Sequence, residues 1–398
     1  SVKDDYGFKK LNFVYHFLNS DDAEKKEKVF AEDVFIAKNR QSDQFFYSWD
    51  VNPLNIQPGD NIEYYFEVWD NDGVNGSKAT RSEKKLYKAP TLSELSKENE
   101  KKSDELKKDM EQSIKDAKAL QKEVAELNKK LFEKKNLTWE DRKNIQNLLD
   151  KQKKLENEMQ EIQKENKKKN NQLNEFNQLS PELLEKQKQL EKMFEELMTP
   201  EMKELFKKME EMLDKLDKDK AREMLEKMEL TNDDISKEMD RQLEIFKQLE
   251  FEQKLNESIE KLNKMAEEQE KLSEETKDKK GEAEEQKEKQ DELNKDFEDL
   301  KKDLDELEKK NNELEQPNKM EDTKEDEKGI EEDMKKSSQE MSEQKNQKAS
   351  QSQKNASQKM KNLSQKMQAM QQQMQQEQQS EDIKSLRDIL ENLLTLSF

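Results

Sequence analysis

Between Thr91 and Gln316 the chain has one glycine, Gly281, and two prolines, Pro181 and Pro200. Each proline directly follows a serine or threonine, as expected of a capping residue ahead of proline at the first helical position. The rest of this stretch is almost entirely Lys, Glu, Asp, Gln, Asn, Leu and Met, all compatible with a helix. So long a run without breakers commits most of the molecule to amphipathic helix. The function expected is one that helices and their surfaces can perform.

Composition narrows this further. Of 398 residues, 43% are charged and 30% hydrophobic, with a net charge of -20. Compact domains carry roughly 45–50% apolar residues, so one large core is not expected. High charge with a sustained heptad points to coiled coil, and without one to disorder. Both regimes occur here. There is no cysteine, which removes disulfides, thiolate metal sites and cysteine nucleophiles. The acidic balance argues against nucleic acid as a partner. No run approaches the ~18 apolar residues of a membrane span.

Residues 1–90 differ from all that follows, holding all six tyrosines and two of the three tryptophans. Leu11, Phe13, Tyr15, Phe17 and Ile62, Tyr64, Phe66, Val68 alternate with period two, which reads as strand. Further strands are expected around Val29–Ala37, Phe45–Val51 and Lys84–Lys88, with turns at Pro58-Gly59-Asp60 and Asn71-Asp72-Gly73. Residues 57–68 resemble the late strands of fibronectin- and Ig-like domains. Five strands fall short of the ~7 of such a sandwich. A partial β-sandwich is therefore expected, its missing strands lying before Ser1.

Residues 91–179 read as an antiparallel helical hairpin. One seam is Leu106, Met110, Ser113, Ala117, Leu120, Val124, Leu127, Leu131. The other is Ile145, Leu148, Gln152, Leu155, Met159, Ile162, Asn166, Lys169, Leu173, Phe176. Both step by three and four, a stripe that wants a partner helix. Thr138-Trp139-Glu140-Asp141 is the expected start of the second helix.

Residues 180–316 read as a short-helix bundle running into a long coiled-coil helix. Starts are expected at Ser180-Pro181, Thr199-Pro200 and Thr231-Asn232-Asp233-Asp234. The far seam is Leu293, Phe297, Leu300, Leu304, Leu307, Asn311, Leu314. The polar stretch around Gly281 is either a weak point in a rod of ~85 residues or the tip of a second hairpin. The rod is the favoured reading. Residues 317–398 read as a low-complexity flexible segment ending in Met/Leu amphipathic helices, with periodicity resuming at Met360. Phe398 follows apolar helix without a cap, so both ends are expected to be cut.

Catalysis is disfavoured by inventory: His16 is the only histidine, in a predicted strand, and no phosphate-binding glycine loop is present. No cofactor is expected. The one weak calcium candidate is Asp70, Asp72 and Asn75, where the spacing fails the EF-hand pattern and a strand-to-strand turn explains the residues equally. Methionine is dense between Met193 and Met239. The bland reading is core filler at helical spacing. The sharper one is an adaptable groove for partner proteins, formed by Met193, Phe194, Met198, Met202, Phe206, Met209, Met212, Phe246 and Phe251.

Met239-Asp240-Arg241-Gln242-Leu243-Glu244-Ile245-Phe246, Trp69-Asp70-Asn71-Asp72-Gly73, Asp4-Asp5-Tyr6-Gly7-Phe8 and the Glu381–Phe398 run are similar to an uncharacterised family of large Bacteroidetes envelope proteins. The resemblance implies a membrane anchor upstream, a location on the periplasmic side of the inner membrane, and further chain after Phe398. It implies no activity. The function expected is a non-enzymatic envelope scaffold or spacer that binds protein partners, or its own copies, through coiled-coil and Met-rich surfaces. The alternatives are a β-sandwich module recognising glycan, peptide or calcium, and a cytosolic filament or chromosome-organising coiled coil.

Overall fold

The computed structural model describes residues 1–3, 7–20, 23–37, 41–71, 76–176, 179–213, 217–278 and 283–396, with backbone alone for 23–24, 92, 175–176, 212 and 379–396. The chain is mostly α with a β part ahead of it, as the sequence predicts. It divides into two compact units, residues 1–106 with 164–179 and residues 107–163 with 180–398.

In the first unit, β1 (Val2–Lys3) pairs antiparallel with β4 (Ser42–Asp43). The main sheet contains β2 (Phe8–Asn19), β3 (Val29–Val34), β5 (Asn61–Asp70), β6 (Ala79–Arg81) and β7 (Lys85–Lys88). A short helix, α1 (Ala23–Lys26), joins β2 to β3. The sheet order is β3-β2-β5, and both β6 and β7 pair with β5. The register sets Leu11 opposite Val68, Phe13 opposite Phe66, Tyr15 opposite Tyr64 and Phe17 opposite Ile62. Because side chains alternate along a strand, all eight share one face.

That face is covered by residues 44–57. They alternate exposed and half-buried but form no ladder, apart from a 3-10 turn at Asn52–Leu54. Phe13 meets Tyr47 at 4.7 Å, Trp49 at 5.0 Å and Phe66 at 5.2 Å between ring centroids. The strand expected at Phe45–Val51 is thus an extended cover, and no second sheet forms there among the described residues. Alternation specifies which side chains face inward, not which backbone they bond to.

Two long helices follow, α2 (Leu92–Phe132) and α3 (Trp139–Phe176). Thr91 and Glu94 form a capping box, as do Thr138 and Asp141. Lys102 bonds Gln172, Lys169 bonds Ser103 and Lys151 bonds Glu123. As one partner's number rises the other's falls, so the pair is antiparallel. Every member of the two predicted seams is buried, the undescribed Phe176 side chain aside.

In the second unit α4 (Pro181–Glu196) and α5 (Pro200–Met212) begin where expected. Ser180 accepts from the Leu183 N–H and Thr199 from the Met202 N–H. Each such cap is worth about 1 kcal/mol. The third start is corrected. Helix α6 (Lys218–Asp278) begins beside Asp217, which accepts from the Lys220 N–H at 2.9 Å, and runs unbroken through Thr231–Asp234. There Asn232 is buried and donates back to the Met228 carbonyl, so packing overrides a capping signature.

The rod is corrected as well. Helix α7 (Ala283–Asn312) lies antiparallel to α6, with Gln290 against Gln269, Asp303 against Lys254 and Lys310 near Glu250. Residues 279–282, which include Gly281, lie outside the described residues. The flexible segment is helical too. Helices α8 (Lys324–Ser342) and α9 (Asn346–Leu396) complete an up-down-up-down four-helix bundle with α6 and α7. Gln344, at φ 56°, helps turn the chain between them.

One end of this bundle is apolar, built on Phe251, Leu255, Phe297, Leu304, Ile330, Met360 and Leu363. Toward the other end the seam becomes amide and hydroxyl. Gln269 and Gln290 exchange bonds at 2.8 and 3.0 Å, and Ser337 and Gln353 each donate to Gln290 at 3.0 Å. All four of these residues are 0% exposed.

Candidate functional site

The described concavity lies at one end of the β unit. Phe8 and Leu11 from β2, Phe66 and Val68 from β5, and Phe45 from the covering segment give it an apolar floor. Ser1, Val2, Lys3, Asp70, Lys78, Thr80, Arg81 and Ser82 complete the rim, enclosing about 560 Å³. That falls within the ~300–1,000 Å³ common to ligand sites. The floor exists because alternate residues of β2 and β5 point to the covered face, and the cover ends at Phe45.

Charge at the rim is unequal. Arg81 is engaged by Glu67 at 2.8 Å and lies over the Tyr65 ring, both on the opposite face of the sheet. Asp70 closes its own turn: its carboxylate accepts the Lys78 N–H at 2.8 Å and its carbonyl accepts the Ser77 hydroxyl. The ammonium groups of Lys3 and Lys78 have no carboxylate partner among the described residues. An apolar group carrying an anionic end matches this lining.

Of the calcium candidates only Asp70 is placed. One of its carboxylate oxygens accepts the Lys78 N–H, and Asp72 and Asn75 lie outside the described residues. Among the described residues no cluster of three or more histidine, cysteine or acidic side chains could hold a metal. His16 sits on β2 beside Glu63 at 3.6 Å, a strand-face position as expected.

Among the described residues of the β unit, Trp49 and Trp69 form no open platform. Trp49 is packed against Phe13, Tyr15 and Tyr64, while Trp69 donates to Glu67 and lies beneath Lys10. Tyr47 donates to Glu32. Burial, then that bond and the carboxylate charge, raise its phenol above the ordinary value.

The Met-rich groove is also corrected. Phe194, Met198, Phe206, Met209, Phe246 and Phe251 are all buried within the second unit. Met193 and Met202 are half-buried, and the Met193 carbonyl accepts from Gln242 at 3.0 Å. The Met212 side chain is not described. Because α4 and α5 close on α6, the buried members of this set offer a partner no open groove among the described residues, and core filling explains their spacing.

Sequence reasoning missed Lys3, Lys78 and Phe45 as lining residues. No motif marks them, since the cleft arises only from strand register and the end of the cover. No helix among the described residues is long and apolar enough to cross a membrane. Comparisons with protein-family models, with characterised proteins and with solved structures find no match.

Proposed function

We propose that this protein is a non-enzymatic scaffold of the cell envelope, in which a self-closed helical body carries surfaces for protein partners. The long, regular helical body supports this reading; because the coiled-coil and Met-rich faces expected to bind partners are filled from within, partners would meet its outer faces instead. The α2 and α3 seams are buried, and α6 to α9 fill one another's faces. A body of this kind holds surfaces in place. The periplasmic location and an upstream anchor rest on the family resemblance.

A second reading, favoured by the cleft, gives the β unit its own ligand, an apolar group with an anionic end. Glycan recognition has less support, because Trp49 and Trp69 are already engaged.

Hydroxyl-radical footprinting combined with sedimentation tests the scaffold. The chain alone should sediment as a monomer, with Met209, Phe246 and Phe251 protected and Phe46 labelled. Self-association that depends on residues 193–251, or strong labelling of Met209, would restore the Met-rich groove and overturn the closed body.

A further inference from the structure

At the tip of the α2–α3 hairpin two large aromatic side chains stand in solvent, Phe132 at 65% and Trp139 at 75% exposure. The tip is built to hold them there. The Thr138–Asp141 capping box fixes the start of α3, and Lys134 ties back to the buried Asp141 at 2.5 Å. Arg222 lies over the Phe132 ring at 4.8 Å and Lys143 over the Trp139 ring at 5.4 Å. Lys218 donates to the Phe132 carbonyl and Arg142 to the Leu213 carbonyl.

The charge at this tip runs against that of the whole. Residues 128–143 hold six cationic side chains (Lys129, Lys130, Lys134, Lys135, Arg142, Lys143) against three carboxylates (Glu133, Glu140, Asp141), in a chain of net charge -20. Lys129, Lys130 and Lys135 are exposed and have no carboxylate partner among the described residues.

We infer that this tip docks on an anionic lipid surface, with Phe132 and Trp139 entering the headgroup layer and the lysines meeting lipid phosphates. Three considerations favour a bilayer. The aromatic groups stand exposed at the end of α2 and the start of α3, whereas a protein partner would have to supply a pocket. Aromatic rings flanked by lysine suit the membrane–water interface. Screening within about 10 Å lets the tip act apart from the acidic remainder.

Co-sedimentation of the full chain with vesicles tests this, using phosphatidylglycerol and phosphatidylcholine in equal parts against phosphatidylcholine alone. Three unpaired lysines, each worth roughly five-fold, should give about a hundred-fold preference for the anionic vesicles. Trp139 emission should shift to the blue on binding, and W139F should lose that shift. F132S/W139S should weaken binding about ten-fold. K129E/K130E/K135E should abolish the anionic preference. All these positions are exposed, and circular dichroism confirms that each variant is folded. Equal binding to both vesicle types, or unchanged binding by both multiple variants, would overturn the inference. Capture by immobilised polyglutamate without vesicle binding would assign the tip to an acidic protein and overturn it as well.

Discussion

Replacing Gln290 by alanine should loosen the polar end of the four-helix bundle while leaving its apolar end intact. In the native bundle the Gln290 amide exchanges two bonds with Gln269, donates to Asn294, and accepts from Ser337 and Gln353. Ser337 and Gln353 retain weak contacts to the Met341 sulfur, and the Asn294 Oδ1, which loses its donor, belongs to a half-buried residue that water can reach. The groups left orphaned are therefore the two amide atoms of Gln269, which is 0% exposed. At about 1–3 kcal/mol for each buried group without a partner, the loss is about 2–6 kcal/mol. A water entering the vacated polar space would offset part of it, leaving about 2–5 kcal/mol.

Two compact units make a single global melting transition a poor readout, so the measurement should be local. Hydrogen exchange followed by mass spectrometry resolves peptides covering 264–276, 286–297, 335–342 and 346–357. Their slowest amides should exchange about 30-fold to a few thousand-fold faster in the variant, at 1.4 kcal/mol per factor of ten. Peptides from α4 and α5 should not change. A control replaces the whole layer, Q269L/Q290L/S337A/Q353L. Removing the fully buried partners together leaves only the half-buried Asn294 Oδ1, which water can satisfy, and should be close to neutral. An effect of Q290A under about three-fold, or a control that exchanges faster than Q290A, would refute the claim that orphaned amides set the cost.

Two further charge sites have calculable consequences. Lys301 at 2.6 Å and Lys335 both donate to Glu331, pulling its carboxyl down to about 2 from 4.5. A depressed acid stabilises the fold above its unfolded value, so this contribution should be present above about pH 4.5 and lost as pH falls toward 2. With the side chain 22% exposed, solvent screening reduces it to about 1–2 kcal/mol. E331Q should flatten the acid limb of the denaturant midpoint, and an unchanged slope would count against the pairing. At Asp303, burial pushes the carboxyl up, but the Lys254 charge and the lysine hydrogen bonds outweigh it and hold it below its ordinary value. D303A removes the carboxylate that Lys254, at 3% exposure, meets at 2.7 Å, and should cost about 3–5 kcal/mol by local hydrogen exchange. K254M/D303L should recover most of that loss, and failure to recover would mean the cost is not electrostatic.

How far the fold could be read from the sequence depended on which residues occupied the seams. Leu, Val, Ile and Met at heptad spacing made α2 and α3 legible almost residue by residue. Ser180 and Thr199 ahead of proline fixed two helix starts. The turn between α6 and α7 was harder to read, because Thr276, Gln286 and Gln290 carry the same spacing with polar side chains. Polarity looked like a weak rod, whereas the Gln286 and Gln290 amides find partners on other helices of the bundle. The methionines were ambiguous for a different reason. Core filler and open groove share one sequence pattern, and only the closure of α4 and α5 onto α6 separates them. In the β unit the sequence offered Asp70 only as a weak calcium candidate, and it gave no sign of Lys78.

The segment once read as flexible shows why composition alone misled. In α9 the positions Ala349, Gln353, Ala356, Met360, Leu363 and Met367 step by four and three without a break, yet half of them are small or polar. Such a seam buries little apolar area per residue, so something else must hold α9 in place. Small side chains let α6 and α9 approach until hydroxyls reach across to backbone. Ser350 donates to the Ser273 carbonyl and Ser357 to the Ala266 carbonyl, each at 2.8 Å. These bonds form only in one register. A seam of leucines could slide by a heptad at modest cost, whereas sliding this one would bury unpaired serine and glutamine. The polar residues that made α8 and the start of α9 look disordered therefore specify where these helices sit. They also leave one end of the bundle held by hydrogen bonds and the other by apolar contact, so local opening should begin at the polar end.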